Sequence, residues 1–296
     1  MRFNLFVIMV LLFSTASTRA DSRQEISQAD ALHDAGKYAE AKRLFLDAAA
    51  GALNGRDKAE LLWRASREAL ELGVLVERSG APDTEILEIC WEGERYADAA
   101  IQADPRNELG YFWKSANMGR RGQVKGMLNA LFLVMPIHDL LLQALSLNPQ
   151  RSDVYYVLGQ MYRELPGWPL SFGSVDAAVS LGGKAVDLRM SQAPELPQAP
   201  DYDFYLELAI TLHKRNWTAA MRASRQEIKR LAFPEAITPL VRGLLYEAAV
   251  LLERKSDREE AAQIVRWCIV EMEKRPTLTA GESDNLIKAR ELLERW

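Results

Sequence analysis

Histidine and cysteine are the side chains best suited to bind a metal or move a proton at neutral pH, and this 296-residue chain has three of the first and two of the second. His33, His138 and His213 are far apart in sequence. None stands at helical spacing from another His or Cys, and neither an H-E-x-x-H nor a paired C-x-x-C motif occurs. Cys90 and Cys268 each adjoin a tryptophan, Trp91 and Trp267, inside helical patterns. That context reads as two buried thiols, although an exported chain could also join them. Gly182-Gly183-Lys184 lacks the upstream glycine and the following Ser or Thr of a phosphate loop, and its glycines fit close helix packing instead. The carboxylates are scattered and form no acid–base pair. The expectation is a protein that is not an enzyme and carries no cofactor and no metal. His138, just after Pro136, is expected to make a structural hydrogen bond.

Composition agrees with a binding role. Hydrophobic residues make up 48% and charged residues 26%, with a net charge of −4. The mixed, slightly acidic balance argues against nucleic acid as a partner. At the N-terminus, Arg2 precedes an apolar run over residues 5–13 and a small, polar stretch over 14–20. This is the order of a secretory signal peptide, residues 1–20, cut after Ala20. The run is shorter than the ~20 residues that cross a bilayer comfortably, so a retained anchor is the weaker alternative. No cysteine follows the run, so the exported chain is not read as a lipoprotein.

The remaining elements are helical. Leu158-Gly159-x-x-Tyr162, with Tyr155 upstream, is followed by Ala178 and Ala185, seven apart. Large apolar residues alternate with small ones that let two antiparallel helices approach, Gly159 against Ala178. Gly36-Lys37-Tyr38 marks an earlier turn, and Ala41-x-x-x-Phe45 repeats the second-helix spacing. These patterns resemble the tetratricopeptide (TPR) repeat. The spacing predicts about six helix pairs over residues 22–54, 57–105, 108–149, 153–201, 204–233 and 240–274. Turns or stops are expected at Gly73, at Gly119 and Gly122, and at Asn216-Trp217, with Pro136 kinking or breaking the apolar stretch 126–147. Ala220 and Ala262 are the expected small positions of pairs five and six, and Ser283 the N-cap of a last helix. The fold class is therefore all-α. It is a TPR-like array of helical hairpins, an α-solenoid, with long inter-helix insertions and a C-terminal capping helix, forming one domain over 21–296.

Leu62-Trp63-Arg64-Ala65, Gly93 with Ala97-Asp98-Ala99-Ala100, the Trp113 helix, the apolar stretch with His138, Asn148-Pro149, Leu158-Gly159 and the Trp168 loop come in a characteristic order. That order resembles the helical domain of the regulator-of-microtubule-dynamics proteins and of bacterial periplasmic TPR proteins. Among the latter is the T component associated with TRAP transporters. For the bacterial group the resemblance implies a periplasmic scaffold that associates with a solute-binding protein or transporter component, and that can form an oligomer with a central pore. T components are typically lipoproteins, and this chain departs from them in lacking the lipid-accepting cysteine.

Two surfaces are expected to bind. Residues three before the small position of each first helix, and those a turn on, should line a concave face: Trp63, Arg67, Phe112, Tyr156, Gln160, Arg163 and Leu206. The alternative is that these aromatics pack against the neighbouring repeat. In the apolar stretch, Leu128, Leu131, Phe132 and Val134 are spread over more than one helical face, so one side should remain exposed to a protein partner, a second copy or a hydrophobic ligand.

Overall fold

The computed structural model describes residues 24–192 and 201–296. The expected signal peptide and most of the proline-rich connector after Gln192 lie outside these residues. All regular structure described is helical. Contacts divide the chain between Leu147 and Asn148 into two compact units, where the spacing alone suggested one continuous array.

In the first unit, α1 runs through residues 24–34, followed by α2 (Tyr38–Gly51), α3 (Gly55–Arg78), α4 (Asp83–Ala103), α5 (Glu108–Val124) and α6 (Met127–Leu147). From α2 onward each helix packs on the next. Ala41, Phe45 and Ala49, four apart on α2, are buried with Ala59, Leu62 and Ala65 of α3. Asn54 caps α3 by accepting from Asp57 N at 2.9 Å.

Several glycines behave differently from the expectation. Gly73 does not end α3, which continues to Arg78, and the loop falls at Ser79–Pro82. Gly119 and Gly122 lie inside α5, and the turn comes at Lys125-Gly126, where Gly126 takes φ 90°. Gly93 serves contact rather than chain reversal. A Cβ there would lie 2.1 Å from Asn117 Oδ1. The Asn117 amide donates to Ser66 O and Ser66 Oγ at 3.1 Å, and Ser66 Oγ donates to Gly93 O at 2.8 Å. Three helices are thus tied at one solvent-free point. Nearby, Arg121 and Glu94 form a buried bidentate pair at 2.5 and 3.2 Å, with the guanidinium over the Trp91 ring. Helix α6 is continuous through Pro136, because Ile137, Leu141, Ala144 and Leu145 bury one face of it.

The second unit begins with α7 (Ser152–Glu164) and α8 (Val175–Gln192), which meet where a Cβ on Gly159 would touch Ala178 O at 3.5 Å. Next come α9 (Tyr202–Arg215), α10 (Ala219–Ala232), α11 (Pro239–Leu244), α12 (Asp257–Glu273) and α13 (Ala280–Arg295). Here the pairing differs from the expectation. Helix α9 packs on α12, not on α10. The expected first helix of the sixth pair is replaced by short α11 and a 3-10 turn at Tyr246–Ala249. Ala220 is exposed, and Ala261 rather than Ala262 is fully buried. Thr279, not Ser283, caps α13, in a capping box with Glu282. Leu206, Ala209, Leu212, Val265, Cys268 and Met272 form the core between α9 and α12, and Ala289 and Leu292 of α13 close it.

Helix α10 faces the unit with its polar side. Arg222, Gln226 and Lys229 are buried, whereas Met221, Ile228 and Leu231 are exposed. The buried side joins an ion cluster. Arg215 lies 2.8 Å from both Glu247 and Asp257 and 3.0 Å from Asp176, and Lys229 lies 2.6 Å from Glu247 and Asp176. Burial acts to raise the Glu247 pKa, but hydrogen bonds and charge from Arg215 and Lys229 outweigh it and hold the carboxyl below the usual range. Glu207 is held low in the same way by Lys288 and Arg163. Depressed folded-state values give stability that is full above the unfolded carboxylate pKa of ~4.3 and lost as pH falls through the lower folded values. Asp201, raised first by burial, has the opposite sign but is a single group. Amide exchange in α9 and α10 is therefore expected to stay slow from neutrality down to about pH 5 and to accelerate below about pH 4. Exchange independent of pH across that window, after correction for intrinsic rates, would contradict this.

Candidate functional site: the exposed face of α5 and α6

The residues expected on a concave face fall in both units. In the first, Trp63 is buried and its Nε1 donates to Glu60 at 3.1 Å. Arg67 is held by Asp30 at 3.0 Å and Glu68 at 2.8 Å. Phe112 is buried edge-on against Trp113, with ring centroids 5.2 Å apart. In the second, Tyr156 stacks on Phe204 at 4.4 Å and its hydroxyl bonds the Asp203 carboxylate. Arg163, one face along α7, pairs with Glu207 at 2.7 Å and donates to Thr211 Oγ1 at 3.1 Å. Gln160 lies between them and is partly buried, and Leu206 is fully buried. Trp63, Phe112 and Leu206 therefore offer little surface to a partner. Tyr156 and Arg163 are engaged at the contact of α7 with α9. An aromatic three residues before a small position lands where the next helix closes, which is the packing alternative.

The apolar stretch is different. On α6, Leu131, Phe132 and Met135 are 48%, 82% and 55% exposed, and Val134 is half-buried. The side chain of Leu128 lies outside the described residues. Helical spacing continues this stripe from Phe132 through Met135 and Pro136 to Asp139, Leu140 and Gln143. Those last four face Tyr111, Lys114 and Met118 of α5 across an open groove of about 340 Å³. Two loci fix its wall. The Tyr111 hydroxyl donates to Pro105 O at 3.2 Å, and Lys114 Nζ sits 2.6 Å from Asp98. The spacing of Tyr111, Lys114 and Met118 was a sequence signal for this wall, but it is equally the spacing of a core face. Residues Asn129–Leu147 have a mean hydropathy of 1.7, long and apolar enough to cross a membrane by composition, although a core helix passes the same test.

The reactive groups do not converge on this groove. His138 is buried beside it, where burial lowers its pKa and keeps the imidazole neutral at pH 7. His33 bonds Glu68 at 2.9 Å, and His213 stacks on Trp296 at 4.2 Å. Cys90 and Cys268 are free, buried thiols in different units, pushed by burial up to about 11 and about 12. What the groove can do chemically is bind apolar surface beside one carboxylate and one ammonium.

Fold and groove together define a TPR-like, all-α helical protein with an exposed apolar stripe beside an open groove. The family model for Regulator of microtubule dynamics protein 1-3 matches residues 25–165, just under half of the chain, and so covers α2 to α6 and this groove. No curated protein matches the chain.

Proposed function

We propose that the protein is a non-enzymatic TPR-like scaffold for protein–protein association. In this reading it is exported to the periplasm and works beside a solute-binding protein or transporter component, as the T component of TRAP transporters does. The carrying observation is the exposed apolar stripe of α6 beside the groove. Monomeric proteins rarely leave such a patch uncovered. The order of charge, apolar run and small residues at the N-terminus supports export. Phe132→Asp should abolish capture of the native partner, or self-association, with thermal stability nearly unchanged, because its side chain is largely solvent-exposed, and Leu131→Asp, at a half-exposed position, should do so with a modest loss of stability. Affinity capture from the native host and light scattering read the two effects. Unchanged capture and unchanged mass would overturn the reading.

The groove itself favours a second reading, a carrier of a hydrophobic small molecule. Its volume sits at the lower end of the ~300–1,000 Å³ typical of ligand sites. Native mass spectrometry separates the two readings: a bound small-molecule or lipid mass lost in Leu140→Asp, at a half-buried position of the groove, supports the carrier.

A further inference from the structure

Helix α8 carries a cation that no carboxylate faces among the described residues of the second unit. Lys184 is half-buried, its Nζ 4.4 Å from the centroid of the Tyr155 ring and 5.9 Å from that of Tyr246. The other half-buried or buried cations described in this unit each face a carboxylate. Arg163 has Glu207 at 2.7 Å, Arg189 has Asp201 at 3.3 Å, Lys229 has Glu247 at 2.6 Å and Lys288 has Glu207 at 2.7 Å. Arg151, Arg215, Arg222, Lys255 and Arg275 are likewise paired. Among the described residues Lys184 has no such partner. Asp187, one turn along α8, instead accepts from the Tyr246 hydroxyl at 2.7 Å.

A second cation belongs to the same neighbourhood, because Gly243, next to Arg242, packs on the Tyr155 ring that Lys184 covers. Burial and then the charge of Arg242 both work against the Lys184 ammonium. Arg242 is exposed, and its Nε donates to Ala236 O at 2.9 Å, which fixes the guanidinium while its terminal nitrogens face no carboxylate among the described residues. The backbone holding Arg242 is itself fixed. A Cβ on Gly243 would come within 2.9 Å of the Tyr155 ring, and that ring's hydroxyl bonds Pro149 O at 3.0 Å. Two like charges positioned near each other by rigid packing, in a unit that pairs its other sheltered cations, lack a counter-charge. The missing component is an anion.

We propose that Lys184 and Arg242 form a binding site for an oxyanion, the phosphate or carboxylate group of a ligand, where α8 meets α11. Lys184 supplies a point charge steadied by two tyrosine faces, and Arg242 supplies a planar fork suited to two oxygens. The site is separate from the α6 groove and does not depend on its reading.

The test uses the full chain with its lysines reductively ¹³C-methylated, which keeps their charge, and Lys184→Arg to assign the Lys184 signal. Inorganic phosphate and succinate are titrated separately at constant ionic strength. Saturable movement of the Lys184 signal, with its pKa rising on binding, is expected with one or both probes. The probe that acts at lower concentration identifies phosphate or carboxylate as the ligand group. Arg242→Gln, at an exposed position, should weaken that binding about tenfold, the loss of one charge-assisted pair. Movement that merely follows total salt, or equal movement in Arg242→Gln, would overturn the site. Should that variant fail to fold, the wild-type titration at constant ionic strength decides alone.

Discussion

Asp257→Ala is expected to destabilise the protein by about 3–5 kcal/mol. Asp257 is fully buried at the start of α12. Its carboxylate accepts from Arg215 Nε and Nη2 and from Trp217 N, all at 2.8 Å, and lies 3.1 Å from Arg222 Nε. Truncation to Ala leaves two buried guanidiniums short of negative charge and a backbone N–H without its acceptor. The cost comes from those stranded groups, not from the net worth of the ion pair, because desolvation offsets much of the attraction in an intact pair. Two comparisons isolate this cause. Ser256→Ala, one residue earlier, removes a helix cap and should cost about 1 kcal/mol. Asp257→Asn keeps the shape and an acceptor for Trp217 N, so it should fall between the two. Urea denaturation measures all three. A loss in Asp257→Ala no greater than in Ser256→Ala would show that water or rearrangement satisfies the cluster.

Gly93→Ala should cost about 1–5 kcal/mol, even though alanine is the better helix former by ~1 kcal/mol. The new methyl would sit 2.1 Å from Asn117 Oδ1 and 2.4 Å from its Cγ. Asn117 must swing away, which strains the core by about 1–3 kcal/mol. It also strands the buried donors and acceptors it shares with Ser66, for about another 1–3 kcal/mol. Gly51→Ala is the control, since a Cβ there meets nothing within 4 Å. Asn117→Ala placed on top of Gly93→Ala relieves the overlap, so the double variant should be more stable than Gly93→Ala alone. The opposite order would show that the helices separate rather than clash.

Sequence periodicity located most of the helices and the first, local pairs, because those depend on neighbours a few residues away. The turn at Gly36, the Ala41–Phe45 face and the Gly159–Ala178 contact were all legible in spacing. Gly73, Gly119 and Gly122 were not. A glycine that lets a helix be crossed closely has the same local signature as one that ends it, and only the partner decides. The pairing of α9 with α12 was hidden for a related reason. Arg222, Gln226 and Lys229 repeat at the spacing of a solvated face, and their partners Asp176, Glu247 and Asp257 come from three distant segments. Of the two expected surfaces, the α6 stripe kept Leu131 and Phe132 in solvent. The aromatic row did not keep Trp63 or Phe112 there, because in a helical array the same position can face a groove or the next helix.

The inverted α10 has a thermal consequence. The increase in heat capacity on unfolding comes from wetting apolar surface, while wetting polar surface reduces it. Met221, Ile228 and Leu231 are already wet, so releasing α10 would newly wet mainly charged and amide groups. Its release free energy should therefore vary almost linearly with temperature, whereas that of the α9–α12 core should follow a strongly curved dome. Cooling below the maximum of that dome weakens the fastening of the core, while that of this segment keeps its linear trend.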